Sequence, residues 1–382
     1  MTIHSIRKKC PIIILFNVVC KTLAFCSWYL LFAILPLKLF SDDSLLSVES
    51  RIKLILREKS DCVVRVKATK VAIAAGKAKR ILKMGSGFFV SKEGHILTTG
   101  LLPNADRIWI EHNDTYLLAE ALGHDPLCNL SLLKITEPFS SINYVRISDG
   151  PSNLEAGSFL VGITFALEFQ ISPTFGLLQS YESSFGKRLF PTKMIRSSLA
   201  LGPGEVGAPV FDLNGRFVGI THAALPDLRS SFILPSKACQ RIRDDLLLSG
   251  KVGYGWFGIS TTRKLNDTNS FDVVISGFVK NSPADQSNLK VGDHLVKVGN
   301  LAINSNGDLA NSSFFAEPDT ILEFEVIRKE KKLIIPVRVA GRSFNTQSDS
   351  SENFLNSLVS KNNKGNLNSS MKENLQDINS SD

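Results

Sequence analysis

The distribution of apolar and polar residues changes sharply along the chain, and its first segment is almost entirely apolar. Between Cys10 and Leu37 the only charged residue is Lys21, and a basic run occupies residues 7–9. The stretch exceeds the roughly 20 residues that a membrane-spanning helix needs, and the preceding positive charges favour a cytoplasmic N-terminus. We therefore predict a cytoplasmic stub and transmembrane signal-anchor over residues 1–41, with the bulk of the chain periplasmic or otherwise extracytoplasmic. A cleaved signal peptide is the alternative, although no A-x-A cleavage site follows.

In the next segment, residues 42–61, apolar residues recur at the spacing of a helix. Leu45, Val48, Ile52 and Ile55 fall on one side of the predicted helix. We expect this linker helix to space the following domain from the membrane.

From residue 62 to about residue 233, short apolar runs alternate with turn signals. Runs such as "HILTT" (95–99), "RIWIEH" (107–112) and "FLVGIT" (159–164) have the length and composition of strands. A helical pattern at 235–250, ending at Gly250, closes this region. Many short strands without intervening helices predict a β-barrel or a sandwich.

A second unit follows over residues 254–341. Its pattern predicts a short helix over "SPADQSNL" (282–289), a β-hairpin with a charged turn at 329–332, and only a weak helix near 307–313. Residues 342–382 are rich in Ser and Asn and poor in apolar side chains, which predicts a disordered tail.

Charge and cysteine content exclude several classes of function. The formal net charge of +8 is modest for 382 residues, and the basic runs are short, whereas nucleic-acid-binding domains concentrate basic residues in a stripe. The six cysteines include no CxxC pair, and no His, Cys, Asp or Glu cluster has metal-ligand spacing. We predict no nucleic-acid partner, no cofactor and no metal; the surplus charge suits solubility or an anionic membrane surface.

Four motifs occur in a characteristic order. They are "GSGFFVSKEGHILTTGLLPNAD" (85–106), "GHDPLCNLSLLKI" (123–135), "TFGLLQS" (174–180) and "GPGEVGAPVFDLNGRFVGI" (202–220). Together they resemble the trypsin-like domain of the HtrA (DegP/DegS-type) serine proteases. "GWFGI" (255–259) and "NSPADQSNLKVGDHLVKVGN" (281–300) resemble the PDZ domain attached to these enzymes. The resemblance implies a mainly β chain, with a trypsin-like double six-stranded β-barrel over 62–250 and a small α/β PDZ domain over 254–341.

The catalytic triad implied by this resemblance is missing from the matching positions. The family's histidine falls on Leu101, its aspartate on Asn129 and its serine on Val206. Triad chemistry needs an attacking oxygen, an imidazole that takes its proton and a carboxylate that orients the imidazole. None of the three residues supplies its part, so no catalytic residue is predicted and the chain is expected to be a pseudoprotease.

Two binding features are implied by the same resemblance. Gly204, Glu205 and Val206 form a candidate vestigial oxyanion loop, although a tight-turn role alone explains its glycines. Trp256, Phe257, Gly258 and Ile259 correspond to the PDZ loop whose amides hold a peptide's C-terminal carboxylate. The alternative for Trp256 and Phe257 is that they only fill the core.

The sequence therefore predicts an inactive, membrane-anchored HtrA-like protein that binds peptides, protein C-termini or unfolded polypeptide as a scaffold, sensor or chaperone in the cell envelope. One alternative is a serine endopeptidase for envelope quality control with a displaced triad. Its candidates come from the remaining histidines and serines, namely His95, His112, His124, His222, Ser86, Ser197 and Ser198. Another is a structural partner of an active paralogue in mixed oligomers. Family resemblance also suggests a homotrimer.

Overall fold

The computed structural model describes residues 43–74, 77–101, 104–139, 142–147, 150–151, 154–186, 188–265, 269 and 271–342. The predicted anchor (1–41) and the predicted tail from residue 343 onward lie outside these residues. Within the described ranges, no helix combines the length and apolar character that crossing a membrane requires. The chain divides into two compact units, residues 1–51 and 52–382.

The first six strands close into a barrel in the order β1-β2-β3-β6-β5-β4. Alternating burial along β4, where Ile108 and Ile110 face inward, shows how the apolar pattern selects the core face. The strands are β1 Val63–Ala74, β2 Lys77–Phe89, β3 His95–Thr99, β4 Arg107–His112, β5 Thr115–Asp125 and β6 Leu130–Ile135.

The next six strands close into a second barrel in the order β10-β11-β12-β9-β8-β7. They are β7 Phe159–Thr164, β8 Ser172–Phe185, β9 Arg188–Ser197, β10 Pro209–Phe211, β11 Phe217–Leu225 and β12 Ser230–Pro235. The predicted double six-stranded barrel is confirmed.

Two helices flank the barrels in sequence. Helix α1 spans Asp43–Lys59. It is more than the predicted spacer, because Ile55 is buried in the barrel core and Ile52 packs against that core. Helix α2 spans Ser236–Ser249 and ends at Gly250, whose left-handed backbone lets its amide donate to Leu246 O at 2.9 Å. The predicted end of this helix is confirmed.

The PDZ-like unit has a five-strand path β14-β15-β16-β18-β19, with β17 paired to β16, and a separate β13-β20 pair. The strands are β13 Gly255–Trp256, β14 Ile259–Leu265, β15 Phe271–Phe278, β16 His294–Val298, β17 Leu301–Ala302, β18 Ile321–Arg328, β19 Lys331–Arg338 and β20 Ala340–Gly341. The predicted charged hairpin turn lies between β18 and β19.

The helices of this unit differ from the prediction. Helix α3 spans Asn306–Phe315 and is well capped, because Ser305 accepts a hydrogen bond from the Asp308 amide. The helix predicted over "SPADQSNL" is wrong: these residues form turns. There the Ser287 hydroxyl donates to Ala284 O at 2.7 Å, a local side-chain bond of the kind that competes with helix formation.

Candidate functional site: the triad-matched positions and the PDZ loop

The three chain segments that carry the triad-matched positions lie close together, with Gly100 between the other two. Gly100, directly before Leu101, donates its amide to Asn129 O at 3.2 Å. A methyl group added to Gly100 would lie 3.8 Å from Val206 Cγ2. Gly100 thus lies beside the segments of both Asn129 and Val206, as the order of the motifs predicts.

The side chains at these three positions lack the groups that peptide hydrolysis requires. Leu101 is 8% exposed and packs in the core of the first barrel with Phe89 and Ile96. Asn129 is buried in a left-handed conformation (φ 49°), which asparagine tolerates better than most residues. Val206 stays partly exposed. Two hydrocarbon side chains and one amide supply neither an attacking oxygen nor a general base.

The loop that precedes β10 is held in one shape by the first barrel. The Ser86 amide donates to Val206 O at 3.0 Å, and the Ser86 hydroxyl donates to Gly204 O at 3.0 Å. Gly207 has φ +88°, and a Cβ there would lie 2.2 Å from Ser86 O, so this position requires glycine. These contacts account for the motif's glycines without catalysis.

Glu205 turns its carboxylate back into this loop. It accepts hydrogen bonds from the Gly202 amide at 2.5 Å and the Thr164 hydroxyl at 2.6 Å. Both hydrogen bonds hold this side chain against the loop.

The remaining histidines do not form a triad among the described residues. His124 and His95 each bond a serine hydroxyl, Ser131 at 2.9 Å and Ser91 at 2.7 Å, but both use Nδ1. In triad chemistry Nε2 faces the serine and Nδ1 faces the carboxylate. Ser131 is also buried, at 1% exposure, so a substrate could not reach it.

His222 occupies the irregular step of β11 between Thr221 and Ala223. Its Nδ1 is inaccessible to solvent and has no hydrogen-bond partner among the described residues. Burial lowers the pKa of His222 to about 4, so the ring is neutral at physiological pH.

The PDZ loop combines a buried side chain with an accessible backbone. The Phe257 ring is 3% exposed and packs edge-on against Phe324, so its side chain is core. Trp256 is only partly buried, and Ile259 packs at the edge of the same core. Within the described part of the chain, the amides of Phe257 and Gly258 have no hydrogen-bond acceptor.

Gly258 lies directly before a strand at the edge of its sheet. Gly258 has φ +74° and a Cβ there would lie 2.2 Å from Ser282 Cβ, so glycine is required. Strand β14, which follows, is at the edge of its sheet. The Thr261 hydroxyl of β14 donates to Asn306 Oδ1 of α3 at 3.0 Å, which places this helix beside the open edge.

Helix α3 also contacts the second barrel, a feature that sequence reasoning missed. Lys193 Nζ of β9 lies 2.6 Å from Asp308 Oδ1, and the Thr192 hydroxyl lies 2.5 Å from Asn311 Oδ1. Burial alone would raise the pKa of Asp308, but hydrogen bonds from Lys193, Ser305 and the Asn304 amide outweigh it and lower the pKa.

A second interdomain contact is fully buried. The Tyr254 hydroxyl donates to Asp125 Oδ2 at 2.7 Å, and Asp125 is 0% exposed. Burial raises the pKa of both groups. The amides of Leu127 and Cys128 also donate to this carboxyl group, so it is a structural anchor for the start of the PDZ-like unit.

Comparison with known families agrees with this architecture. Residues 85–220 match the trypsin-like peptidase domain, and residues 255–339 match the PDZ domain. The chain is thus a trypsin-like peptidase domain followed by one PDZ domain. Its resemblance to the HtrA-type serine proteases is confirmed.

The relatives are named as probable periplasmic serine endoproteases. The probable periplasmic serine endoprotease DegP-like of Pseudomonas fulva (strain 12-X) is 27% identical over 69% of this chain and 57% of its own length. The protein of the same name from Marinomonas sp. (strain MWYL1) is 28% identical over 72% of this chain and 62% of its own. The chain therefore spans about three fifths of the length of these relatives.

Solved structures share the fold. HtrA-type protease AlgW with a tripeptide has a TM-score of 0.64 at 20% identity, covering 78% of this chain and 99% of that one. The serine endoprotease from Yersinia pestis has a TM-score of 0.56 at 19% identity, covering 76% and 98%.

Proposed function

We propose that this chain is a catalytically inactive HtrA-like protein that binds peptides or unfolded polypeptide through its PDZ domain. The observation that supports the proposal is that Gly100, the neighbour of Leu101, lies beside both Asn129 and Val206, so the three segments without triad side chains are close together. A protease scaffold without nucleophile or base retains at most a roughly 10³–10⁴-fold effect over water, far below a working enzyme.

The binding half of the proposal rests on the PDZ loop. The amides near Gly258 point to a carboxylate site, and the free edge of β14 beside α3 accepts an extended segment as an added strand. Peptide C-termini supply both the carboxylate and the strand. The HtrA-type AlgW structures were solved with peptides, which supports the same ligand class.

The proposed setting is the cell envelope. The apolar segment between Cys10 and Leu37 would anchor a single-pass protein with its N-terminus in the cytoplasm, and the relatives are named as periplasmic. There the chain would act as scaffold, sensor or chaperone, as a homotrimer or in mixed oligomers with an active paralogue. This topology is tested by adding a protease to sealed vesicles that contain the full chain. Digestion of the C-terminal domain from the cytoplasmic side contradicts the proposed topology.

The peptide-binding claim is tested by fluorescence anisotropy with hydrophobic peptides that have a free C-terminus. We expect binding that is weakened at least about tenfold by C-terminal amidation, since the carboxylate hydrogen bonds are then lost. Gly258→Val should abolish binding, because its Cβ collides with Ser282, whereas Gly277→Val, which has open space, is the matched control. Equal affinity for acid and amide peptides contradicts the proposal.

A second function, serine endopeptidase with a displaced triad, is favoured by the named activity of the relatives. Fluorophosphonate labelling of the full chain separates the two. Covalent modification of any serine, abolished by substituting one histidine, supports the endopeptidase; an unlabelled chain supports the binding protein.

A further inference from the structure

Strands β1 and β2 extend well beyond the first barrel. Pairing of β1 with β4 ends at Thr69, and β2 pairs with β3 only from Gly87 onward. Pairing between β1 and β2 nevertheless continues to Ala74 and Lys77. Residues 70–74 and 77–82, here called the arm, are therefore a two-stranded ribbon, and no other described strand pairs with either edge.

The arm is cationic and partly aliphatic on its surface. The arm has four Lys or Arg among its eleven residues and no Asp or Glu. Lys79 and Arg80 are exposed, and Val71 and Leu82 are 49% and 54% exposed. A carboxylate does lie at the base, where Asp106 accepts a hydrogen bond from the Val71 amide at 2.6 Å.

Both faces of the arm mix these two kinds of side chain. Paired residues share a face, so Val71 and Arg80 lie on the same side, and Lys70 and Ile81 lie on the other. A two-stranded ribbon exposed on both sides is marginally stable alone in water. Exposed aliphatic residues between cations therefore suit a partner that is both anionic and apolar.

We infer that the arm docks on the surface of an anionic phospholipid bilayer. Aliphatic side chains would enter the interface while Lys and Arg stay at the headgroups. A nucleic acid would satisfy the charges but would leave Val71 and Leu82 without an apolar partner. In the sequence, only helix α1 and a short 3-10 turn at 60–62 separate the apolar segment ending near Phe40 from β1. The preference for a bilayer over a soluble anion rests on the membrane anchor proposed above. This lipid contact is independent of whether the chain cleaves peptides.

The test is lysine acylation of the full chain with mass-spectrometric detection, in vesicles of phosphatidylcholine alone or with one quarter phosphatidylglycerol. We expect acylation of Lys79 to slow at least about fivefold in the anionic vesicles, while exposed Lys237 is unchanged. About 1 M salt, where the Debye length is about 3 Å, should remove the protection. Arg80→Ser should weaken the protection of Lys79 about fivefold, which is the effect of one cation near an anionic membrane surface.

The matched control is Lys237→Ser, which removes one exposed cation from α2 and should leave Lys79 protection intact. Equal thermal unfolding of Arg80→Ser and the parent chain verifies that the variant is folded. Leu82→Ser should weaken the protection of Lys79, because it removes an apolar contact with the bilayer. Equal acylation of Lys79 in both vesicle types overturns the inference. So does equal or stronger protection by a DNA duplex in vesicle-free solution, which would assign the arm to nucleic acid.

Discussion

Replacing Asp308 should loosen helix α3 from the second barrel. Its side chain is 9% exposed and lies 2.6 Å from Lys193 Nζ, which is 43% exposed. The carboxylate also accepts from the Ser305 hydroxyl at 2.9 Å and the Asn304 amide at 3.0 Å. Loss of Asp308 therefore affects both the interdomain ion pair and the start of the helix.

The two contributions set the expected magnitude. A partly exposed ion pair contributes about 0.2–1 kcal/mol, and a side-chain cap at a helix start contributes about 0.5–2 kcal/mol. Asp308→Asn keeps an acceptor and should cost about 1 kcal/mol, whereas Asp308→Ala leaves the Asn304 amide unsatisfied and should cost about 2–3 kcal/mol. Lys193→Met should cost less than about 1 kcal/mol, since it removes only the ion pair.

Hydrogen exchange of residues 306–315 measures the local opening free energy, and a double-mutant cycle with Asp308→Asn and Lys193→Met isolates the pair. We expect a coupling of about 0.5–1 kcal/mol at neutral pH. Because the pKa of Asp308 is lowered in the folded chain, this stabilisation is complete above the ordinary carboxyl pKa. It is lost as the pH falls through the lowered value. Zero coupling at neutral pH, or coupling that persists after the carboxyl is protonated, would refute this explanation.

Two further predictions concern buried polar groups. Tyr254→Phe removes the 2.7 Å hydrogen bond to the fully buried Asp125 and should lower the free energy of unfolding in urea by about 1–3 kcal/mol; an unchanged midpoint contradicts the anchoring role. His222 has its pKa lowered to about 4 by burial. The unfolded chain therefore binds a proton below about pH 6.5 that the folded chain does not. As the pH is lowered from about 6.5 to 4, the free energy of unfolding should fall by about 1–3 kcal/mol, given the partly covered ring. His222→Gln should flatten this part of the pH–stability profile. Parallel profiles of the variant and the parent chain would show that His222 is not responsible.

Part of the fold follows from the sequence because one face of each strand is buried. "RIWIEH" and "FLVGIT" carry a clear apolar pattern, and their strands lie where they were predicted. Strand β5 was not predicted, because most of its residues are exposed or partly exposed and no alternation marks it. The arm of β1 and β2 was missed for the same reason: residues 70–72 and 78–82 are all exposed or partly exposed.

The candidate site depends both on loops that sequence motifs mark and on long-range contacts that no motif marks. Loop motifs in a fixed order locate Leu101, Asn129 and Val206, because the loop shape requires particular glycines such as Gly207. The pairing of Asp125 with Tyr254 joins residues 129 positions apart. Neither residue lies in a motif that specifies the other, so only the folded chain shows this contact. Helix α3 was weakly marked because its stability comes from the Ser305 cap and from contacts with β9 rather than from its apolar pattern.

The most direct measurement follows the intact mass of a permanently unfolded reporter protein incubated with the purified full chain. The reporter carries a free, hydrophobic C-terminus. If the PDZ domain binds polypeptide and the trypsin-like domain does not cut it, the reporter co-elutes with the chain and keeps its full mass, and Gly258→Val releases it. Fragments that disappear when one histidine or serine of this chain is substituted would show that the scaffold still hydrolyses peptide bonds.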